Sequence, residues 1–418
     1  MKEIVRKSLI KDIKRTFDIL EHKEAKDVEE LRKLSDHTIG DVALYKNLDA
    51  VSLAVLIYSI YKVLPCIKPE DYKDLVDNLK LSHKKLSDKK FGAYNRYLSK
   101  CFNVVKKCNA AVKTHINDVF HAAKLKKGST LLAHGLSVSR AAEVMGISRW
   151  DLQEYTGKTR QFEFGPEKVR ATKRIQMAME LFRDQGESKE HKILFFDAGP
   201  IITLTMARMI DILKPLKEKF GGKFYITPAV YKELVEEPIT IRRFKFEALQ
   251  VKKLIKEGVL EIYNNVPNTK VASFTNLSNK LYAADKKWME VIQAGEMSIV
   301  VAALKEKTPI AMDERTMRLL IEDPTSLKTL LERRSRKKVI SSQANINKFS
   351  SLVKGVVIIR SIELASLAFK LGLFDSYALP GATGKKELLD AILWNAKFNG
   401  CAVTENEIEE LKAFLLSK

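Results

Sequence analysis

Cysteines are few in this sequence, and the pattern of a secretion signal is not apparent. The 418-residue chain has four cysteines, Cys66, Cys101, Cys108 and Cys401, and none of them forms a CxxC pair. The first residues do not combine a basic start, an apolar run and a cleavage site. We therefore expect a reduced, cytoplasmic protein without a disulfide framework. Cys101 and Cys108 share one apolar helical stripe, which favours core residues over a metal site.

A long apolar run is also missing. The most apolar window, "VSLAVLIYSIYKVL" at residues 51–64, contains Ser52, Ser59 and Lys62 and ends before Pro65. A helix that crosses a membrane needs about 20 mostly apolar residues. This window therefore predicts a buried helix, and we expect no membrane-spanning segment.

Acidic residues are fewer than basic residues in this sequence. Lysine and arginine number 73 against 52 acidic residues, a formal net charge of +21. Between residues 81 and 150 there are 14 basic and 3 acidic residues, so much of the excess lies there. Such an excess favours polyanionic partners, because association releases their counterions. Nucleic acid is the leading candidate, and an anionic membrane surface is the weaker one.

The length of the chain, and the change in its pattern of apolar and polar residues, predict two or three domains. Residues 1–127 have the pattern of a helical domain, residues 128–165 that of a helix-turn-helix segment, and residues 166–190 that of a connecting helix followed by a polar linker. The remaining residues, 191–418, alternate short apolar runs with amphipathic segments.

Apolar runs in the C-terminal half predict strands at 193–196, 224–226, 309–312 and 356–359, and "GVLEIYNNV" predicts an edge strand. Helical patterns separate these runs. The alternation is typical of an α/β domain with a parallel sheet and helices on both faces. An all-α region is expected before it.

The stretch "GLSVSRAAEVMGISRWDLQEYTGKTR", residues 135–160, predicts a helix-turn-helix. Its serines can cap the two helices, and its central glycine can supply the positive φ of the turn. This pattern would expose polar side chains on and beyond the second helix. The candidate nucleic-acid contacts are Arg140, Arg149, Gln153, Lys158 and Arg160. Short helix pairs also serve protein contact or packing alone, and the sequence leaves those alternatives open.

Four carboxylates follow the predicted strands. Asp197 ends "ILFF", Glu233 lies in the helix after "YITP", Glu296 starts a helix after "AG", and Asp313 ends "PIAM". Each of them alone could be a cap or a solvated residue. In open α/β sheets, however, ligands gather beyond the carboxyl ends of the strands. Two unit charges about 5 Å apart repel by roughly 3 kcal/mol at an effective dielectric near 20, so four converging carboxylates require a cation.

Mg²⁺ or Mn²⁺ is the cation that this set of oxygen ligands favours. Histidines are few in this half of the chain, which disfavours zinc. A carboxylate-held ion would activate a water and orient a phosphodiester.

Five segments occur in the order typical of PIN-domain nucleases: "ILFFDAGPIITLTMARMIDILKPL", "FYITPAVYKELVE", "AGEMSIVVAALKEKTPIAMDERTMRLL", "IELASLAFKLGLF" and "KELLDAILWNAKFNGCAVTENEIEEL". Within that family the chain resembles the VapC-type toxin branch, and the resemblance covers nearly all of residues 191–418. It implies a three-layer α/β/α fold, a possible homodimer, and Mg²⁺- or Mn²⁺-dependent endonucleolytic cleavage of RNA. The implied catalytic and metal-binding residues are Asp197, Glu233, Glu296 and Asp313.

The helix-turn-helix is similar to the short helical segment of antitoxins that accompany such toxins. That resemblance implies an antitoxin-like module joined to its nuclease, where it binds nucleic acid, DNA included, or restrains the nuclease.

Two features set this chain apart from the family that it resembles. Ala198 and Gly199 stand where a hydroxyl residue commonly follows the first aspartate. A longer segment contains "ERRSRKK", and its basic residues could grip substrate phosphates or form a solvated loop. These residues are Arg333, Arg334, Arg336, Lys337 and Lys338.

The first departure leaves open a non-catalytic DNA- or RNA-binding regulator that keeps the fold as a scaffold. A protein-interaction role for the N-terminal helices is the third alternative.

Overall fold

The computed structural model describes residues 3–22, 27–45, 48–111, 116–133, 136–157, 167–183, 192–285, 287–290, 292–335, 338–381 and 383–417. The expected linker near 186–191 and the candidate contacts Lys158, Arg160, Arg336 and Lys337 lie outside these ranges. The chain forms two compact units, residues 1–134 with 141–147 and residues 135–140 with 148–418.

The first unit is built from helices. They are α1 (Glu3–His22), α2 (Asp27–Tyr45), α3 (Leu48–Val63), α4 (Pro69–Ser87), α5 (Phe91–Ala111) and α6 (Ile116–Ala133). Helix α1 packs against α2 and α4, α4 packs against α5, and α3 contacts α2, α5 and α6. The expectation of an all-α region before the sheet holds for the residues that the structure describes.

Helix α3 contains the most apolar window of the sequence, and it is a core helix. Leu53, Ala54, Leu56 and Ile57 are all fully buried. Across the described ranges, no helix is long and apolar enough to cross a membrane. Cys101 is likewise buried as a free thiol, as predicted, whereas the side chain of Cys108 is not among those described.

The helix-turn-helix elements occur where the sequence predicts them, as α7 (Val138–Met145) and α8 (Arg149–Gly157). Gly146 has a φ of 59° in the turn. The Ser137 hydroxyl accepts the backbone N–H of Arg140 at 3.2 Å, and that of Ser148 accepts the N–H of Trp150 at 3.1 Å. Helix α8 and the first residues of α7 belong to the second compact unit.

The described residues of the second unit include eight short strands. They are β1 (Ile193–Phe196), β2 (Lys223–Ile226), β3 (Glu261–Ile262), β4 (Tyr282–Ala284), β5 (Lys287–Trp288), β6 (Ile310–Ala311), β7 (Ile340–Ser341) and β8 (Ile358–Ile359). Five of them form a parallel sheet in the order β3-β2-β1-β6-β8. All five predicted strands are in this sheet, and "GVLEIYNNV" supplies its edge strand β3. The unit is therefore α/β, as expected.

Helices surround the sheet. They are α9 (Ala171–Leu181), α10 (Ala198–Met206), α11 (Leu213–Phe220), α12 (Pro228–Tyr231), α13 (Lys245–Lys256), α14 (Asn268–Ser278), α15 (Ala294–Glu306), α16 (Arg315–Glu322), α17 (Pro324–Ser335), α18 (Gln343–Leu352), α19 (Ser361–Lys370), α20 (Gly384–Phe398) and α21 (Glu405–Leu416). Arg333 and Arg334 lie in the last turn of α17, so the basic segment begins as helix and not as the loop we expected. The run "LKTLLERR" consists mainly of good helix formers, which explains the extension.

The central strand β1 is covered on both faces. Leu194, Phe195 and Phe196 are fully buried although successive side chains of a strand point to opposite sides. On one side Phe196 packs on Phe224 with ring centroids 5.0 Å apart. Phe182, at the end of α9, packs on Phe220 of α11 at 5.1 Å. Helix α9, which the sequence suggested as a connector, is therefore part of this core.

The sequence does not indicate the second sheet, an antiparallel one with the order β5-β4-β7. Its strands contain only two or three residues each. Such short strands show no period-two pattern that sequence reasoning could detect.

Glu167 lies at the centre of a buried ionic cluster in the second unit. Its carboxylate accepts hydrogen bonds from Arg174 at 2.9 Å and from Arg318 at 2.6 Å. Burial opposes ionisation of Glu167, but attraction from Arg318, Arg174 and Arg360 holds its pKa below the usual value. The cluster ties the start of α9 to the sheet, because Arg174 also donates to the Ile358 carbonyl at 3.0 Å.

Replacing Glu167 by Gln should destabilise the second unit, because buried arginines lose their counterion. We expect a loss of about 3–5 kcal/mol in the free energy of unfolding, measured by urea denaturation at pH 7. Because the pKa of Glu167 is lowered in the folded chain, its ionised form contributes stability fully at pH values above the ordinary pKa of 4.5. The difference in free energy of unfolding between the variant and the native chain should therefore shrink as the pH falls below 4.5. Glu257→Gln, which affects an exposed pair with Lys253, is the control and should cost under about 0.5 kcal/mol. Equal losses for the two variants would contradict this account.

Candidate functional site

Two of the four predicted carboxylates meet where neighbouring strands end. Asp197 follows β1 and caps α10, accepting the N–H of Gly199 at 3.2 Å. Asp313 follows β6, the parallel neighbour of β1. Gly199 lies between them, since a β-carbon built on it would be 3.2 Å from Asp197 Oδ2 and 3.4 Å from Asp313 Cβ. The parallel sheet therefore brings these two acids to one edge, as predicted.

Hydroxyl groups fix the orientation of Asp313. Its Oδ2 accepts hydrogen bonds from the hydroxyls of Thr203 and Ser361, each at 2.7 Å. Its Oδ1 accepts the backbone N–H of Ser361, also at 2.7 Å. The backbone carbonyl of Asp313 accepts a further bond from the buried Arg318. The hydroxyls that hold Asp313 thus come from α10 and α19 and not from the position directly after Asp197.

The other two predicted acids lie at the starts of helices. Thr227 caps α12, and the chain continues into a π-helical turn, Lys232–Glu236, which carries Glu233. Glu296 lies in the first turn of α15 and forms a capping box with Gln293. A β-carbon on Gly295 would be 3.7 Å from Glu233 Oε1, so Glu233 lies against the start of α15.

Arg149 joins the acids. Its Nη2 donates to Asp197 Oδ2 at 2.8 Å, and its Nη1 donates to Glu233 Oε2 at 2.5 Å. The Arg149 residue is only 6% exposed. Burial disfavours its charge, but attraction from Asp197, Glu233 and Glu296 raises its pKa above the ordinary value. In this structure, therefore, a side chain of the chain itself balances the charge of Asp197 and Glu233.

Burial also changes the protonation of the acids. It raises the pKa of Glu296 to about 8, with repulsion from Glu314 adding to the effect. The pKa values of Glu233, Asp313 and Glu314 are raised as well, in each case mainly by burial. Attraction from Arg149 opposes the rise at Glu233. A buried acidic cleft of this kind is typical of functional sites.

Other residues of α8 attach the helix to the same site. Gln153 donates to the Gly199 carbonyl and to the Thr203 hydroxyl, both at 3.0 Å. The Trp150 indole donates to the Glu233 carbonyl at 3.1 Å. Arg243 then holds the outer side of α8 through Asp151 at 3.1 Å and Glu154 at 2.6 Å.

The expectation that Arg149 and Gln153 are exposed for nucleic-acid contact is wrong for this structure. Gln153 is 3% exposed, and both side chains point into the acidic cleft. The physical reason is charge: the acids of the sheet edge attract a guanidinium more strongly than water solvates it there. The helix-turn-helix pattern predicts which face is polar, but it does not show what that face contacts.

Among the remaining candidate nucleic-acid contacts, the structure describes the side chains of Arg140 and Lys338. Arg140 is partly buried and Lys338 is exposed. The side chains of Arg333 and Arg334 are not described, and Lys158, Arg160, Arg336 and Lys337 lie outside the described residues.

The closed cleft leaves little free space. The cavity beside Arg149, Gln153 and Asp313 has a volume of about 10 Å³, which is room for one water molecule. In the described part of the chain, no group of three or more His, Cys, Asp or Glu side chains is arranged to hold a metal. The oxygen donors nevertheless suit a hard divalent cation, and Asp197 Oδ1 is buried with no hydrogen-bond partner among the described residues.

Several site residues escaped the sequence analysis. Glu314 is a fifth acid, next to Asp313, and its interaction with Glu296 shows that it belongs to the cleft. Ser361 was not singled out, and neither was Thr203, although Thr203 lies in the segment that follows Asp197. Only the position of Glu314 beside a strand-end aspartate offered a signal.

Comparison with protein-family models, with curated proteins and with solved structures gives no match to this chain.

A substitution at Gly400 should loosen α8 without touching the acids. Gly400 has a φ of 117°, and a β-carbon there would be 2.3 Å from Gln153 Cγ. We expect Gly400→Ala to increase amide hydrogen exchange in residues 149–157 by roughly tenfold or more, while β1 stays protected.

Gly258→Ala is the matched control, because Gly258 also has a positive φ of 69° but no atom within 4 Å of the added carbon. Equal exchange in α8 for the two variants would show that Gln153 does not hold the helix.

Proposed function

We propose that this chain is a latent metal-dependent ribonuclease of the PIN type, held closed by Arg149 from its own helix-turn-helix segment. The observation that carries the proposal is the double ion pair of Arg149 with Asp197 and Glu233. A positively charged side chain occupies the place where a catalytic cation would be needed. The basic N-terminal half would then both restrain the nuclease and attract RNA.

The fold supports this proposal. Five parallel strands with helices around them place Asp197 and Asp313 beyond neighbouring strand ends. Glu233 approaches from the π-helical turn that continues α12, and Glu296 from the first turn of α15. This arrangement agrees with the three-layer fold that the PIN resemblance implies. The homodimer that the same resemblance implies stays a prediction.

The oxygen donors of the cleft suit Mg²⁺ or Mn²⁺ in their chemistry, and in this proposal they would converge on the ion once the guanidinium has left. Asp197, Glu233, Glu296 and Asp313 would hold the ion, and the unpaired Oδ1 of Asp197 is an oxygen ready for it. A bound divalent cation supplies an activated water and neutralises charge on the leaving oxygen.

The chain's own residues prepare the site. Thr203 and Ser361 hold both oxygens of Asp313, so that carboxylate is fixed before any ligand arrives. Burial keeps a proton on Glu296 near neutral pH, and Glu296 would lose it when a cation balances its charge. Arg149 would leave together with α8, since a space of about 10 Å³ admits no nucleotide.

DNA binding through α8 and the closed nuclease exclude one another. Arg149 and Gln153 are buried in the acidic cleft, so α8 has to leave it before these side chains can contact bases. A nucleic acid that captures α8 would therefore release the nuclease.

One observation favours a second function, a non-catalytic regulator with the nuclease fold as scaffold. Arg149 neutralises the acids directly, and Ala198 and Gly199 follow the first aspartate, so the closed state could be permanent. The two functions differ in what happens when Arg149 is removed.

Arg149→Ala should switch on Mn²⁺-dependent cleavage of single-stranded RNA. Loss of a buried pair weakens the closure by about 3 kcal/mol, which corresponds to a roughly 100-fold gain in initial rate. Cleavage is measured with a fluorophore-quencher oligoribonucleotide, and Arg149→Gln provides a variant of similar volume.

Two controls accompany the measurement. Arg149→Lys keeps the charge and should stay close to the native rate, and adding Asp197→Asn to Arg149→Ala should abolish cleavage. No cleavage by either uncharged variant, with circular dichroism unchanged, would favour the scaffold function instead.

A further inference from the structure

A cavity of about 600 Å³ lies within the first compact unit. Its walls are formed by α3, α5 and α6 together with the end of α7 and Gly146 of the turn that follows. All of the residues that line it belong to residues 1–134 or 141–147, which make up that unit. Sites for small molecules typically have volumes of roughly 300–1,000 Å³, so this cavity has the size of a ligand site.

Much of the lining of this cavity is apolar. Val51 and Val55 of α3 and Met145 of α7 are buried, and Phe102 of α5 and Val144 of α7 are partly buried. Val51 and Val55 are four positions apart, so they lie on one face of α3. An apolar group that enters the cavity would be removed from water, which favours binding.

Polar side chains also line the cavity, and several of them have no protein partner. Within the described ranges, Ser52, Ser99 and Asn103 make no side-chain hydrogen bond to another residue. Ser59, on the same helix as Ser52, instead donates to the Val55 carbonyl at 2.7 Å. The hydroxyl and amide groups of the three unpartnered side chains are therefore available to a ligand.

The charged residues of the lining are Lys124 and Glu143. Glu143 already interacts with another residue of the chain. Lys124 donates a long hydrogen bond of 3.5 Å to the Gly146 carbonyl, and it forms no ion pair in the part of the chain that the structure describes. Its ammonium group is the charge that a ligand can neutralise, so we expect a negative group on that ligand.

We propose that this cavity binds a small amphipathic acid, a molecule with an apolar body and one negatively charged head group. The body packs against the apolar lining, and the head group accepts a hydrogen bond from Lys124 Nζ. A nucleic-acid strand suits the cavity less well, because it carries one charge per nucleotide whereas the lining offers one unpaired cation. The acidic cleft belongs to the second unit, so this assignment does not rest on the proposed nuclease.

The test uses the full chain and two fluorescent probes that share an aromatic body. Anilinonaphthalene sulfonate carries a negative head group, and phenylnaphthylamine is its uncharged counterpart. Lys124→Gln should weaken binding of the sulfonate about 5-fold and leave binding of the uncharged probe unchanged, because the ammonium group contacts only the sulfonate. Ser99→Trp adds a large ring at an exposed position of the lining and should weaken binding of both probes about 10-fold or more.

Lys126→Gln is the matched control, because Lys126 is a partly exposed lysine of the same helix that does not line the cavity. It should leave the affinity for both probes unchanged. Circular dichroism confirms the fold of each variant, since the sulfonate also binds partly unfolded chains. Competition with decanoate and with naphthoate shows whether an aliphatic or an aromatic body fits the cavity better.

Three results would overturn the assignment: unchanged sulfonate affinity in Lys124→Gln, an equal loss in Lys126→Gln, or failure of both acids to displace the sulfonate. A native chain that sediments at a higher mass than Ser99→Trp would identify a second copy of this chain as the occupant and also overturn it.

Discussion

The structure of the acidic cleft depends on how its negative charge is neutralised. Several carboxylates are buried within one cleft, and at close range each pair repels by a few kcal/mol. Arg149 resolves this conflict with one guanidinium that donates to both Asp197 and Glu233. Its planar fork suits two carboxylates, which a lysine ammonium would satisfy less well. Removing this charge without replacement would leave buried carboxylates unpaired, so the closed cleft requires α8.

The contacts around Arg149 hold it beside the acids whose charge it balances. Gln153 and Trp150 bind backbone carbonyls and a hydroxyl beside the acids, which fixes the angle at which Arg149 enters. Arg243 attaches the outer side of α8, and Gly400 leaves the space that Gln153 needs. The Thr203 hydroxyl accepts a hydrogen bond from Gln153 and donates one to Asp313, so one hydroxyl links α8 to the orientation of Asp313.

The sequence predicts elements that depend on a local pattern of residues. It does not predict contacts between side chains that lie far apart in the chain. The apolar runs at 193–196 and 224–226 predict β1 and β2 because buried parallel strands are continuously apolar. The strand-end rule brings Asp197 and Asp313 together. The pattern around Arg149 predicts a polar helix face, but it contains no information about the acids some fifty to ninety residues away that neutralise it. The antiparallel sheet is missed for another reason, since two-residue strands have no detectable period. Glu167 lies in no recognisable motif, and only the fold reveals its buried arginines.

The most direct test of the account is a crystal structure of the Arg149→Ala chain grown with Mn²⁺ and measured at a wavelength where manganese scatters anomalously. The account predicts an anomalous peak among the carboxylates of Asp197, Glu233, Glu296 and Asp313, and none there in crystals of the native chain. An empty cleft at saturating Mn²⁺, or a peak bound elsewhere while the cleft stays filled by other side chains, would contradict the claim that Arg149 stands in for a catalytic cation.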